Sequence, residues 1–392
     1  MLYGLLNLSF WGYVIALFIM TQLTIFSVTI YLHRHQAHRA LELHPVASHF
    51  FRFWLWLTTG MRTIEWVAVH RKHHAYTEQE QDPHSPLQVG LSNVLWRGVE
   101  LYRTAAKDKT MLEKYGYGTP DDWVEHRIYV HSVKGIFLML GIDLVLFGVP
   151  GIIMWAVQML WIPLFGAGVI NGIGHYFGYR NFESPDASRN IVPWAVFIGG
   201  EELHNNHHAF ASSAKLSVRP WEVDSGWGVI QLLSWFKLAK VNRVAPKLIE
   251  QPTKNTVDMD TLKAVLINRL SVMSVYAKDV IQPIWHNQLV KADRQQQGVL
   301  RKARKWLIRD EILLSSSNKK GLSELLTQHH QLQQIYDFRQ KLQTLWHEKK
   351  ADPAQQLAAL QEWCQSAEQT GIATLQEFAL KVKRFATPMQ VA

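Results

Sequence analysis

The sequence is nearly free of cysteine, and its first residues are free of charge. Cys364 is the single cysteine among 392 residues. This excludes a disulfide framework and a thiolate metal cluster held within the chain, and it fits a reducing, intracellular compartment. Residues 1–32 contain no charged side chain, and the first one is Arg34. Because this stretch also lacks the basic region and the cleavage site of a signal peptide, it is predicted to stay in the membrane as a helix.

Two long apolar stretches indicate a membrane protein. The formal net charge is +9, with 16 Trp and 17 Phe, a composition found in both nucleic-acid-binding and membrane proteins. The run FWGYVIALFIMTQLTIFSVTIYL (10–32) can cross a hydrocarbon core of about 30 Å as a helix. The forty residues of 135–174 suit two crossings, broken near Pro150 and Gly151. Asp143 lies in this stretch and is predicted to face other helices or an interface, because a carboxylate in lipid is costly.

The remaining segments predict helices that do not span. FFRFWLWLTTGM (50–61) is too short to cross and is interrupted by Arg52, so an interfacial helix is expected. Past Trp235, charged and amide residues alternate with apolar ones at helical spacing. Pro246 and Pro252 mark a boundary. We therefore expect an all-α protein with a membrane domain (1–245) of about three transmembrane helices plus interfacial helices and a histidine-rich cap, and a soluble helical extension (246–392).

Nineteen histidines occur in the chain, and three clusters stand out among them. They are HRHQAH (33–38), HRKHH (70–74) and HNNHH (204–208). Residues three and four apart share one face of a helix, and neutral imidazole is the commonest protein metal ligand. Without cysteine, such clusters suit iron, copper or zinc. Eight further histidines show no ligand spacing and are predicted to be bystanders: His44, His49, His126, His131, His286, His329, His330 and His347. His35 is intermediate.

The membrane topology that these clusters require agrees with the apolar stretches. Ligands of one site must lie on one side of the membrane, so 50–61 must not cross and 135–174 must cross an even number of times. Several Arg and Lys residues lie on the histidine side, which the positive-inside rule makes cytoplasmic. Three spans follow, with the histidine clusters on the cytoplasmic side of the membrane.

The histidine clusters resemble the three boxes of the membrane-bound fatty acid desaturases, and specifically the acyl-CoA delta-9 (stearoyl-CoA type) branch. DPHS (82–85) and NGIGH (171–175) are also similar to that branch, and the likeness covers roughly residues 15–235. The extension resembles a transposase-derived helical region seen in some bacterial desaturases. The resemblance implies an O2-dependent di-iron enzyme that introduces a cis double bond, at delta-9, into a saturated long-chain acyl-CoA.

The resemblance also implies the residues of the site. One iron would take His33, His38, His70, His74 and His207, and the other His73, His175, His204 and His208, with a water held by Asn171. Asp82 and His84 are candidates to orient these ligands. Substrate contacts are predicted at Arg71, Lys72, Trp221 and Trp227. The expected partners are a long-chain acyl-CoA, membrane lipids and a separate reductase or ferredoxin-type electron donor, because the sequence has no His-Pro-Gly-Gly haem motif; no nucleic acid is expected.

The sequence also accommodates two alternative functions and disfavours a third. A membrane fatty acid or alkane hydroxylase would use the same histidine chemistry, and a desaturase acting on phospholipid-bound acyl chains would share every box. A metal transporter would place polar ligands inside its spans, whereas nearly all of these histidines lie at the ends of apolar segments.

Overall fold

The structure is a computed structural model that describes residues 2–347 and 352–388, and it divides into two compact units. The first contains the residues up to Arg180 together with Asp186–Ala245. The second contains Asn181–Pro185 and the described residues from Pro246 onward. The predicted mostly helical character is confirmed.

Helices dominate the first unit, and its strands are only two or three residues long. The α-helices are α1 (Phe10–Phe26), α2 (Pro45–Thr58), α3 (Thr63–Tyr76), α4 (Pro86–Val89), α5 (Leu91–Ala105), α6 (Lys109–Tyr115), α7 (Ser132–Phe147), α8 (Val149–Ile162), α9 (His204–Ala209) and α10 (Ser225–Trp235). The π-helical segments are Ser27–Ala37, Glu125–Tyr129 and Pro163–Ile173. The strands are β1 (Leu41–Leu43), β2 (Trp194–Ala195), β3 (Val223–Asp224) and β4 (Ala239–Val241), paired β1 with β4 and β2 with β3.

The first apolar run forms one continuous helix that ends in the first histidine cluster. The side chain of Ser9 caps α1 by accepting a hydrogen bond from the backbone nitrogen of Gly12 at 3.3 Å. After Phe26 the winding changes to π, and the helix ends at Ala37 after 28 residues. Large apolar side chains near its start, among them Phe10 and Trp11, are exposed, as expected for a surface that faces lipid.

The second apolar stretch breaks earlier than the sequence suggested. The turn lies at Gly148, which has a φ of +67°, a conformation open to glycine because it has no Cβ. Pro150 instead lies in the first turn of α8, where a missing N–H costs nothing. The predicted break near Pro150 and Gly151 is therefore wrong by two residues. Asp143 is fully buried and accepts a hydrogen bond from the Gln158 amide at 2.9 Å.

Two helices of the described residues are long and apolar enough to span a membrane, Phe10–Ala37 and Val149–Ile173. The third predicted span corresponds to α7, which has 16 residues and a length of about 24 Å at 1.5 Å per residue. That is less than the hydrocarbon thickness of about 30 Å, so the count of three spans stays a prediction. The interfacial candidate at 50–61 lies mostly in α2, a helix of 14 residues.

The second unit is a helical domain with its own apolar core. Its helices are α11 (Met259–Ile267), α12 (Arg269–Tyr276), α13 (Gln282–Lys291), α14 (Arg294–Ile308), α15 (Ser316–Gln328), α16 (His330–His347), α17 (Pro353–Glu368) and α18 (Ala373–Arg384), with a π segment at Ala277–Ile281 and a 3-10 turn at Glu311–Leu313. Strands β5 (Ile249–Glu250) and β6 (Phe385–Ala386) pair antiparallel and join the two ends of the unit. Tyr276, Trp363 and Phe378 lie in the core, where the Trp363 indole donates to the Phe338 carbonyl at 2.9 Å.

Candidate metal centre

The first histidine box depends on the change of helical winding. His33 and His38 are five residues apart, a spacing that puts them on different faces of an α-helix. In the π segment each backbone hydrogen bond runs from residue i+5 to residue i, and the backbone nitrogen of His38 donates to the carbonyl of His33 at 3.0 Å. Both imidazoles therefore lie on the same side, with ring centroids 4.8 Å apart.

The second and third boxes lie on short stretches of ordinary α-helix. His70, His73 and His74 occupy the last two turns of α3, and His204, His207 and His208 occupy almost all of the six-residue α9. In each box the spacings of three and four residues place the rings along one face.

The structure brings nine histidines together in two groups, within each of which one possible ligand atom per residue lies within 4.8 Å of the others. The first group is His33, His38, His70, His74 and His207, and the second is His73, His175, His204 and His208. These groups have the same membership as the two ligand sets that the resemblance implied. That they bind metal stays a prediction.

In the first group the Nε2 atoms converge. His207 Nε2 lies 3.0 Å from His33 Nε2 and 2.8 Å from His74 Nε2, and the Nε2 atoms of His38 and His70 are 2.8 Å apart. Lone pairs that point at one another across such distances repel unless a proton or a cation lies between them. The arrangement therefore favours a shared cation.

The second group is built in the same way and adjoins the first. His204 Nε2 lies 2.9 Å from His175 Nε2, and His73 Nε2 lies 3.4 Å from His208 Nε2. The ring of His208 stacks against that of His74, a member of the first group, with centroids 4.5 Å apart.

Burial disfavours the charged form of an imidazole, and the neutral form is the one that binds metal. Five of the nine are buried and the other four half-buried. Burial, reinforced by neighbouring histidines, holds the pKa of five of them well below the usual range: His38, His70, His74, His204 and His207. Burial also lowers the pKa of His208 to about 4.

Two carboxylates orient histidines of different groups. Glu201 accepts a hydrogen bond from His33 Nδ1 at 2.8 Å, and Asp82 accepts one from His73 Nδ1 at 2.9 Å. Burial alone would raise the pKa of each carboxyl, but the adjacent histidine holds the pKa of both below their usual values. With the proton fixed on Nδ1, the Nε2 lone pair of each ring points into its group.

Two more carboxylates repeat this contact within the second group. Glu78 Oε1 accepts from His175 Nδ1 at 2.8 Å, and Asp186 Oδ2 lies 3.5 Å from His208 Nδ1. Glu78 has a φ of +67°, a strained conformation for a residue with a Cβ, and such strain concentrates at functional sites. Of the four carboxylates, the sequence predicted only Asp82, because the others lie in no box. Glu201, three residues before His204, could have been found from its proximity.

These residues fit a pair of iron ions. The donors are nitrogens, burial favours the neutral form of the rings, and four carboxylates fix which nitrogen faces inward. A borderline metal such as iron, zinc or copper suits a nitrogen set of this kind.

A buried arginine connects the first box to the segments around the third. Arg34 makes a two-fold ion pair with Asp224, at 3.0 and 3.1 Å, and also donates to the carbonyls of Gly199 and Ala214 at 2.8 Å each. Gly200 has a φ of +104°, and a Cβ there would lie 2.4 Å from the guanidinium. The close approach explains why glycine is needed at this turn.

The remaining predicted residues lie around the histidines with varied contacts. Asn171 is half-buried and lies four residues before His175. His84 is buried and stacks on His73, with ring centroids 4.4 Å apart. Lys72 is half-buried on α3, between the ligand candidates of the second box.

The substrate contacts predicted for the cationic and aromatic residues stay predictions, and the structure gives three of them other contacts. Arg71 donates to the carbonyls of Gln36, Ala37, Tyr115 and Tyr117 at 2.8–3.0 Å, so its guanidinium is committed to the backbone. Trp221 is 54% exposed and packs on Tyr179. Trp227 packs on the apolar cluster that contains Ile30 and Tyr31.

The histidines that belong to neither ligand group make other contacts. His35 contacts the carbonyl of Leu41 at 3.0 Å, His44 caps α2, and His126 pairs with Asp121 at the surface. None of the described bystanders belongs to either histidine group. The side chain of His347 lies outside the described part of the chain.

Comparison with known proteins identifies the family. The fatty acid desaturase family matches residues 8–245, and the chain belongs to this family of lipid-metabolising oxidoreductases. It is 31% identical over 226 residues to a delta-9 acyl-lipid desaturase of Arabidopsis thaliana, covering 54% of this chain and 69% of the relative. It is 30% identical over 228 residues to an acyl-CoA 5-desaturase of Anemone leveillei (55% and 66%) and to the sn-1 stearoyl-lipid 9-desaturase of Anabaena variabilis (56% and 79%). The predicted family is confirmed.

The second unit has a separate likeness. Residues 273–391 match a family described as a transposase, in agreement with the resemblance noted for the extension. The matched region begins in α12, well after the last histidine of the third box.

Proposed function

We propose that this protein is an O2-dependent di-iron desaturase that introduces a cis double bond at delta-9 into a saturated long-chain fatty acyl chain. The observation that supports this best is the pair of histidine groups, which face one another through His74 and His208 in a member of the desaturase family. Acids, bases and nucleophiles of a protein cannot remove hydrogen from an unactivated methylene at neutral pH. Bound iron would supply that oxidising chemistry.

The residues of the chain hold and orient the metals in this proposal. The first group would bind one iron and the second group the other, with Asn171 holding a water on the second. Glu201, Asp82, Glu78 and Asp186 accept the Nδ1 protons and keep the inward nitrogens unprotonated. Burial limits the access of water to the rings, which favours neutral imidazoles and limits side reactions.

The membrane arrangement is part of the proposal. We place three spans in a bacterial inner membrane, with the histidines on the cytoplasmic side and a separate ferredoxin-type protein as the electron donor. The exposed apolar side chains of the long helices support membrane insertion. The site would also be complete within residues 1–245, since every member of both histidine groups precedes Phe210.

Two forms of the substrate have support. The sequence resemblance favours an acyl-CoA thioester, and the relative from Anemone is an acyl-CoA desaturase by name. The relatives from Arabidopsis and Anabaena are named as acyl-lipid desaturases, and Arg71, a candidate for the anionic CoA group, is already bound to four carbonyls.

A labelling experiment tests the reaction and the substrate together. Cells that express the protein would receive deuterated stearate, and the CoA and phospholipid pools would be followed by mass spectrometry. Loss of two deuterium atoms from the acyl chain supports a desaturase, whereas gain of one oxygen atom by the acyl chain would show a hydroxylase instead. The pool in which the product first appears identifies the substrate form. His207→Ala is the inactive control, and His131→Ala is the matched bystander.

A further inference from the structure

Helix α14 of the second unit presents a basic face to solvent, and one of its cations, Arg304, also lies over the Trp285 ring of α13, 5.4 Å from the ring centroid. The helix packs on the core through Leu300, Ala303 and Leu307, which are buried. Five cations lie on its exposed side, spread over less than half of the helix circumference: Arg294, Arg301, Lys302, Arg304 and Lys305. Residues 294–308 contain no Asp or Glu.

The cations are not balanced within the described residues. No carboxylate of the described chain lies within 4.0 Å of any of the five. Arg301 and Lys305 are four residues apart, and Lys302 and Lys305 are three apart, and like charges at these spacings destabilise a helix. Contacts within the unit therefore account for Arg304 but not for the like charges around it, which an anionic partner outside the chain would balance.

We propose that this basic face binds the phosphate headgroups of anionic lipids at the membrane in which the first unit is inserted. The proposal rests on membrane insertion of the first unit, but it does not depend on the reaction that the first unit catalyses. Because the two units are one chain, the membrane surface is present at high effective concentration. Polybasic helices bind anionic leaflets electrostatically, within a range of about 8 Å at physiological salt.

Exposed apolar residues in α14 and close to it along the chain favour lipid over nucleic acid. Val290 precedes α14, Val299 lies in it, and Ile312 follows it, and they are 67%, 45% and 72% exposed. A lipid interface accepts such side chains together with cations. Nucleic-acid phosphates offer them no partner. Because this region resembles a transposase family, the test must distinguish binding of nucleic acid from binding of lipid.

The test uses the full chain in nanodiscs with a fluorophore on the basic face. Gly298 lies on this face, and a Cβ there would meet no atom within 4 Å, so Gly298→Cys supplies an attachment point. The native Cys364 is buried, and burial raises the pKa of its thiol to about 12, so it competes poorly for the label. Energy transfer to an acceptor on the lipid headgroups reports docking in discs with 30% phosphatidylglycerol or with phosphatidylcholine alone.

The proposal predicts strong transfer in the anionic discs, weak transfer in the neutral discs, and release by high salt. Each cation contributes about a fivefold factor near an anionic surface, so Arg301→Gln with Lys305→Gln should lower the docking equilibrium about thirtyfold. The matched control, Lys263→Gln with Arg269→Gln, removes two exposed charges from α11 and α12 and should change it less than twofold.

Three results would overturn the proposal. Equal transfer in both lipids would show that charge does not govern docking, and equal losses in the two double variants would show that α14 is not the site. Tight binding of duplex DNA to the neutral discs, lost in the α14 variant without any response to anionic lipid, would assign the face to nucleic acid. Metal content, unchanged in both variants, reports that the first unit is intact.

Discussion

Glu201 is the carboxylate whose removal tests the proposed centre most specifically. It lies between the first and third boxes, accepts the Nδ1 proton of His33 at 2.8 Å and also accepts a hydrogen bond from the Thr29 hydroxyl. The substitution Glu201→Gln keeps the size of the side chain and replaces a charged acceptor by a neutral one. We expect weaker metal binding, because His33 would be a poorer donor and its ring less firmly oriented.

The expected loss follows from this single hydrogen bond. A bond to a charged group contributes about 1.5–3 kcal/mol and is roughly twice as strong as a neutral one. Losing about half of it, near 1.4 kcal/mol, corresponds to about a tenfold weaker metal affinity. The assay is competition for Zn²⁺ between the metal-stripped full chain and a chelator at pH 7.5, a readout that needs neither O2 nor an electron donor.

The neighbouring residue supplies the control. Glu202 is also buried, at 3% exposure, but its carboxylate accepts a hydrogen bond from the backbone nitrogen of Ile198 and contacts no histidine. Glu202→Gln should leave zinc affinity within about twofold of the native protein. Equal effects of the two substitutions, or an unchanged affinity after Glu201→Gln, would refute the orienting role of Glu201.

Four further predictions follow from the same contacts. His207→Ala should abolish unsaturated product in cells while His131→Ala retains it, as gas chromatography of the lipids would show; activity in both would contradict the ligand assignment. Arg71→Met should lower the free energy of unfolding by about 3 kcal/mol, because it strips donors from four carbonyls, three of which belong to buried or half-buried residues; an unchanged melting temperature would contradict this. The metal-free protein should be most stable above pH 6.5 and should lose stability as the pH falls below that value. The reason is that histidines such as His70 have a lower pKa in the folded protein than in the unfolded chain. Denaturant midpoints measured from pH 5 to 8 show whether stability changes in this direction. A truncation after Ala245 should keep its metals if it folds, with lower stability, and a folded truncation without metal would show that the extension completes the site.

Much of the candidate site was accessible from the sequence because its ligands come from local patterns. The spacings of three and four residues in α3 and α9 translate directly into one helix face. The family likeness supplied what spacing does not, including His175, which has no box of its own. The orienting roles of Glu78 and Asp186 were not accessible, because these residues meet their histidines through loops that only the folded chain brings together.

The fold was predicted less completely where the backbone departs from ordinary helix. His33 and His38 share a face because of π winding, which no residue preference in the sequence indicates. The break at Gly148 instead of Pro150 shows that a proline in the first turn starts a helix, while glycine permits the reversal. The strands of two or three residues are too short to leave an alternating pattern.

We propose above all that nine histidines of this chain hold two iron ions. The most direct measurement is the iron content of the purified full chain after expression with iron, determined by elemental analysis against amino-acid analysis of the same sample. We expect close to two iron ions per chain, and we expect this iron content to fall when His70 or His204 is replaced by alanine. A value near one or near zero in protein that is folded, with all nine histidines present, would contradict it.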